Sequence, residues 1–272
     1  MFSFFFIPFH YTLHTRIDSL YKRLSWVFIY LIPVILSPLF INNNYFNLQN
    51  ILTSILGVFL IYNFYEIGYI TNDTETIKNE SSPTIRLSLK EISFYRKNKK
   101  IIYVSRLFLG IFFSIGIILL SDTYLFIYTS LLILFFFIIY NNIRNTYNLI
   151  IHFILSSLRF CTIPLIFLPY QNFIEIYIYM ILLFPLLNTL ERTQEKKFNL
   201  KILFNPTFTN SKNGRYKYYL FLIILSFSTL LIKIIFELPY IYSSVVFLFY
   251  SIYFFAYRYF SYKIYLTYKI KI

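Results

Sequence analysis

The chain has 272 residues, 58% of them hydrophobic, 23% aromatic and only 13% charged, and 25 Lys and Arg against 11 Asp and Glu give a formal charge of +14. A soluble domain carries about 25% charged and 45–50% apolar residues, so this composition, with a mean hydropathy of +0.63, cannot supply a polar coat. It excludes a soluble enzyme, a disordered chain and, with Cys161 the one cysteine, a disulfide scaffold.

In chain order, eight apolar stretches approach the roughly 20 residues that a spanning helix needs: 25–41, 51–70, 101–120, 123–140, 147–168, 172–190, 217–236 and 239–257. The first is short and holds Pro33 and Pro38. The runs are apolar all round and continuous, which fits helices in lipid rather than the alternating strands of a barrel. At the N-terminus the apolar Phe4, Phe5 and Phe6 are soon interrupted by Pro8, His10 and His14, and no small-residue cleavage site follows, so no cleavable signal is expected. The expected fold is all-α: a single integral membrane domain over 1–272, a bundle of eight to nine spans around a central cavity open to the cytoplasm and the membrane.

Charge placement sets an expected orientation. Of the 25 basic residues, 23 fall on one side of an eight-span chain, the exceptions being Arg159 and Lys233. The opposite loops 42–50, 121–122, 169–175 and 237–240 contain no Lys or Arg. By the positive-inside rule both termini, the loops 74–100 and 191–216 and the short loop at Arg144 face the cytoplasm, in a multi-pass protein of the bacterial inner membrane. The +14 then reports orientation and attraction to anionic lipid. The bilayer is the expected partner, nucleic acid is not, and no obligate protein partner is evident. The run Arg96-Lys97-Asn98-Lys99-Lys100 reads as a juxtamembrane stop.

The acids are few and clustered. Glu66, Asp73, Glu75, Glu80 and Glu91 lie at or after the end of span two, and Glu191 and Glu195 at the end of span six. Ionisable groups entering membrane helices cost a few kcal/mol each and so are candidates for function. Asn63, Glu66 and Asp73 at i, i+3, i+10 share a helical face, as do Asn188, Glu191 and Glu195 at i, i+3, i+7. Two acidic faces at one membrane depth could hold Mg²⁺, which takes one or two carboxylates together with substrate phosphates, while nearby Arg and Lys take further phosphate oxygens. The other reading is that these acids neutralise the basic loops around them. Span five carries a polar stripe, Asn148, His152, Ser156 and Arg159. Arg159 is near mid-membrane, too deep to snorkel easily. It is either a buried charge paired within the bundle or part of a polar cavity wall. No His-Glu-x-x-His, Gly-x-Ser-x-Gly or Gly-rich phosphate loop is present.

These residues resemble the UbiA-type intramembrane prenyltransferases. Their first motif, Asn-Asp-x-x-Asp-x-x-x-Asp at the end of span two, is similar to Tyr65-Glu66-Ile67-Gly68-Tyr69-Ile70-Thr71-Asn72-Asp73. Ser82-Pro83-Thr84, with Arg86 just beyond, falls at the Arg-Pro-Leu step that follows. Glu191-Arg192-Thr193-Gln194-Glu195 resembles the second motif, Asp-x-x-x-Asp, and Tyr140-Asn141-Asn142-Ile143-Arg144 resembles the Tyr-x-x-x-Lys/Arg after span four. The departures are Tyr69 for a metal-binding Asp, Tyr65 for the Asn, Glu for Asp at three positions, and eight spans for nine. The resemblance implies transfer of a prenyl group from an isoprenyl diphosphate to an aromatic or lipid acceptor. It implies Mg²⁺ held by Glu66, Asp73, Glu191 and Glu195 as catalytic ligands. Asn63, Lys78, Arg86, Tyr140, Arg144 and Arg192 would hold the diphosphate, and Asn148, His152, Arg159 and Asn188 would line the cavity. A phosphoribosyl-transferring relative that uses a polyprenyl phosphate, and a non-catalytic membrane protein or transporter, are the alternatives. A transporter would place its acids at mid-span rather than at span ends.

Overall fold

A computed structural model describes residues 2–40, 46–79, 83–143, 145–167, 173–193, 198 and 211–270, leaving aside the side chains of 173, 211–213 and 264–270. Among the described residues every regular element is helical. A short turn, Ser3–Phe5, leads into α1 (His10–Thr15). Then follow α2 (Leu20–Phe40) and α3 (Leu48–Thr71), which runs on through tighter and wider turns to Asn79. The chain continues with α4 (Leu89–Ser121), α5 (Leu125–Asn142), α6 (Asn148–Phe167), α7 (Phe173–Leu183), α8 (Pro185–Arg192), α9 (Ser211–Ile235) and α10 (Ile241–Ile270). Among the described residues, seven helices are long and apolar enough to cross a membrane, and eight if the bent pair α7 and α8 is one span. The chain is a multi-pass, all-α integral membrane protein.

The helix breaks follow from proline chemistry. Pro33 has no N–H, and its ring clashes with the carbonyl four residues back. The helix absorbs this as a π turn over Val27–Leu31. Pro185 breaks span six with a 43° bend at Phe184. Backbone carbonyls freed in lipid need partners, and the Tyr218 and Tyr219 hydroxyls donate to those of Leu182 (2.6 Å) and Leu183 (2.7 Å).

The chain divides into two compact units, 1–38 with 44–167 and 39–43 with 168–272. In the first, α3 is the central helix. Leu60, Ile61, Tyr62, Phe64 and Tyr65 are all buried, and α4, α5 and α6 pack around it. Small residues let the helices approach closely. A Cβ on Gly68 would sit 2.2 Å from the Phe137 ring of α5, and one on Gly110 of α4 would sit 2.7 Å from Phe64. α4 buries Tyr95, Ile102, Arg106, Gly110, Phe113 and Ile117 at helical spacing, while Ile101, Val104, Phe108, Ile111, Ile115 and Leu119 stay exposed, the face left for lipid. In the second unit α9 and α10 form the most extensive pair. Tyr179 stacks on Phe247 at 4.2 Å, and Tyr219 on Phe254 at 5.1 Å.

The segment 74–100, expected as a loop, is helical at both ends. α3 continues to Asn79, and α4 begins at Leu89 behind a capping box in which Ser88 and Glu91 bond reciprocally. Arg106, counted among the 23 basic residues on the cytoplasmic side, is buried on α4. Hydropathy marks only the apolar part of a helix, and the first turns of α4 are polar.

Gly68→Ala should destabilise the first unit by about 1–3 kcal/mol through overpacking. Adding Phe137→Leu should recover part of that loss, as read from thermal unfolding in detergent.

Candidate functional site

The carboxylates at the end of α3 are gathered by the N-terminal segment. Phe4, Phe5 and Tyr11 bury themselves against Ile70, Leu87, Tyr95 and Ile102, which brings the backbone of residues 4–12 onto α3 and α4. There Glu66 and Arg106 form an ion pair at 2.9 Å, neither side chain exposed. The other Glu66 oxygen accepts the Thr12 N–H at 2.7 Å. Arg106 donates from Nε to the Phe5 carbonyl (2.9 Å) and from Nη2 to those of Phe4 (3.3 Å) and Ile7 (3.2 Å). Asn63 closes the cluster: its Nδ2 donates to the Arg106 carbonyl (2.6 Å), and its Oδ1 accepts from Nη1 at 3.4 Å. Asn63 and Glu66 thus share a face as their spacing predicts, and that face is filled by protein.

Asp73 lies within a π turn, Asn72–Thr76, a geometry common at functional sites. Its side chain is wholly buried and holds two guanidiniums. Arg16 engages both oxygens (Nη1 to Oδ2 2.7 Å, Nη2 to Oδ1 2.9 Å), and Arg86 donates from Nη1 to Oδ1 at 3.3 Å. The Tyr11 hydroxyl donates to Oδ2 at 2.9 Å. Burial and the neighbouring Asp73 push this hydroxyl well above the usual tyrosine range, so it stays a donor. Arg16 also sits 4.5 Å over the Tyr69 ring, so this tyrosine takes a cation too. Arg16 and Arg86 keep 20% and 29% of their side-chain surface exposed. The locale carries two positive charges to one negative, with guanidinium N–H groups to spare.

Beside it, Glu75 pairs with Lys99 at 2.7 Å and accepts from the Tyr95 hydroxyl at 2.7 Å. Lys78 is exposed nearby. On α6, Asn148 donates to the carbonyls of Tyr140 (3.0 Å) and Ile143 (2.8 Å). It closes the α5–α6 turn rather than lining a cavity. His152 lies near the Tyr140 ring, 6.4 Å between centroids. The Arg159 guanidinium is 4.5 Å over Tyr30 and 5.2 Å over Tyr65.

In the second unit, Glu191 on α8 makes a two-point ion pair with Arg215 of α9, Nε to Oε1 and Nη2 to Oε2, the latter at 2.8 Å. Asn188 and Arg192, on the same short helix, are partly exposed. Lys233 of α9 is held by Glu175 at 2.5 Å and by the Tyr240 carbonyl at 3.0 Å. Arg144, Glu80, Ser82 and Glu195 lie outside the described residues.

The donor set can be tested against Mg²⁺. Among the described residues, no three His, Cys, Asp or Glu side chains gather where they could hold a metal ion. Asp73 and Glu191 spend both oxygens on arginine, and Glu66 divides its two between Arg106 and the Thr12 N–H. As arranged, they do not fit a divalent cation; what is left over is guanidinium. Arg16, Tyr11 and Arg106 complete the cluster without belonging to any acidic motif. For Arg106 the available signal was its spacing: Gly110, Phe113 and Ile117 follow it on one helical face.

Arg16→Gln should cost about 1.5–3 kcal/mol, the range for hydrogen bonds to a charged group. Arg86→Gln, which loses one longer contact, should cost less. Thermal unfolding of the two variants side by side checks the order.

Against models of protein families, curated proteins and solved structures, the chain finds no match.

Proposed function

We propose that the chain binds an isoprenyl diphosphate in the membrane and transfers its prenyl group to a lipophilic acceptor, with arginines in place of a metal at the end of α3. The observation that carries this reading is the buried Asp73 carboxylate, which holds Arg16 and Arg86 beside each other while both stay partly exposed. Two neighbouring guanidiniums with unspent N–H groups suit a diphosphate, because the fork of each matches a pair of phosphate oxygens. The resemblance at Glu66 to Asp73 and at Glu191, and the apolar helices that would receive a prenyl tail, support the same reading. So does the concentration of basic residues on one side, which favours cytoplasmic termini and an inner-membrane location.

On this reading the allylic C–O bond breaks and the diphosphate leaves. Arg16 and Arg86 stabilise the negative charge that develops on it, an electrostatic effect that counts most where water is excluded. The acceptor attacks the allylic carbon and gives up a proton. Asp73 does not touch the substrate; it positions the two arginines.

The test is titration of geranylgeranyl diphosphate into the protein in nanodiscs, with EDTA and with added Mg²⁺, followed by mass spectrometry of the lipids for a prenylated product. Binding should persist in EDTA and weaken about tenfold or more in Arg86→Ala, which removes one charge-assisted contact. Binding that requires Mg²⁺, or that Arg86→Ala leaves unchanged, would overturn the arginine assignment. Binding with no prenylated product would reduce the function to lipid-phosphate binding.

A further inference from the structure

Among the basic side chains buried or partly buried along the spans, Arg106 has the carboxylate of Glu66, Lys233 that of Glu175 and Arg215 that of Glu191. Arg159 differs. It is the twelfth residue of α6, and among the described residues it makes no ion pair. Its guanidinium is surrounded by rings instead, those of Tyr30 (4.5 Å), Tyr65 (5.2 Å), Phe160 (5.7 Å) and Tyr62 (6.0 Å). Its Nε is buried and has no hydrogen-bond partner, yet the residue as a whole keeps partial exposure. A charge in a span faces the bundle interior or a cavity and finds a partner there. A guanidinium among aromatic rings recovers part of its lost hydration from the ring faces, but an N–H without an acceptor recovers nothing.

We infer that Arg159 and the rings of Tyr30, Tyr62 and Tyr65 form an intramembrane site for the carboxylate of an apolar molecule. The Tyr30 and Tyr65 ring centroids lie 4.5 and 5.2 Å from the guanidinium carbon, and Nε has no acceptor among the described residues. A planar carboxylate can lie in the guanidinium plane and take two parallel N–H···O bonds from the Nε edge. The aromatic walls suit an apolar body, and the depth of α6 makes the bilayer its route of entry. Such an acid could be a long-chain aliphatic acid from the lipid or an alkylated aromatic acid. Neither the diphosphate nor prenyl transfer is needed for it to bind.

The chain carries its own reporter. Trp26 is its single tryptophan, and the indole N–H donates to the Tyr62 hydroxyl at 2.5 Å. Purified protein in neutral detergent, with no diphosphate present, is titrated with oleic acid and with a long-chain alkylbenzoic acid, each against the corresponding alcohol. At least one acid should change Trp26 emission saturably and raise the melting temperature, and its alcohol should do neither. The acid that acts identifies the source. Arg159→Gln should weaken the response at least tenfold, and Arg159→Lys, a cation without the fork, should fall between. Equal responses to acid and alcohol, no response to either acid, or a response that Arg159→Gln leaves intact would overturn the assignment. Should Arg159→Gln fail to fold, the wild-type comparison of acid with alcohol decides alone.

Discussion

Glu66 and Arg106 meet where α3 crosses α4, 2.9 Å apart and without exposed surface. Either charge alone in that position would be expensive, since leaving one partner of a buried pair uncompensated costs several kcal/mol. The pair in turn fixes the beginning of the chain, because Arg106 takes the carbonyls of Phe4, Phe5 and Ile7 while Glu66 takes the Thr12 N–H. Those contacts satisfy backbone groups that a short turn and a six-residue helix cannot satisfy by themselves. With the N-terminal segment held there, Tyr11 and Arg16 reach Asp73, and the two-arginine cluster follows.

The acids at the helix ends thereby acquire a common character. Three of them are spent on guanidiniums, Glu66 on Arg106, Asp73 on Arg16 and Arg86, and Glu191 on Arg215, and Glu75 is spent on the ammonium of Lys99. The carboxylates orient cations, and the cations are what an anionic ligand would meet. Exposure divides the work. Arg106 is wholly enclosed and acts on the fold, whereas Arg16 and Arg86 retain surface and donors. Arg159 is a different case, a cation whose neighbours are aromatic rings rather than acids.

The spans were legible because lipid imposes a length and a continuity on apolar runs, and the eight stretches correspond to α2 through α10 with α7 and α8 as one span. The bend at Phe184 was written in Pro185, but an apolar average over 172–190 smooths it away. The helical faces of Asn63, Glu66 and Asp73 were legible from spacing. Their partners were not, because Arg16 lies 57 residues before Asp73 and Arg106 lies 40 after Glu66. Periodicity says which side of a helix a residue occupies; it does not say whether protein, metal or ligand covers that side. Arg106 lies within the apolar stretch 101–120, but it follows the polar first turns of α4 closely and so was counted with the cytoplasmic cations rather than as a buried charge.

The Glu66–Arg106 pair anchors this arrangement, and a double-mutant cycle in detergent tests that most directly. Glu66→Gln and Arg106→Met should each cost about 3–5 kcal/mol of unfolding free energy, while the double variant, with no uncompensated charge, should cost well under the sum of the two. Costs that simply add, or single variants as stable as the parent, would contradict it.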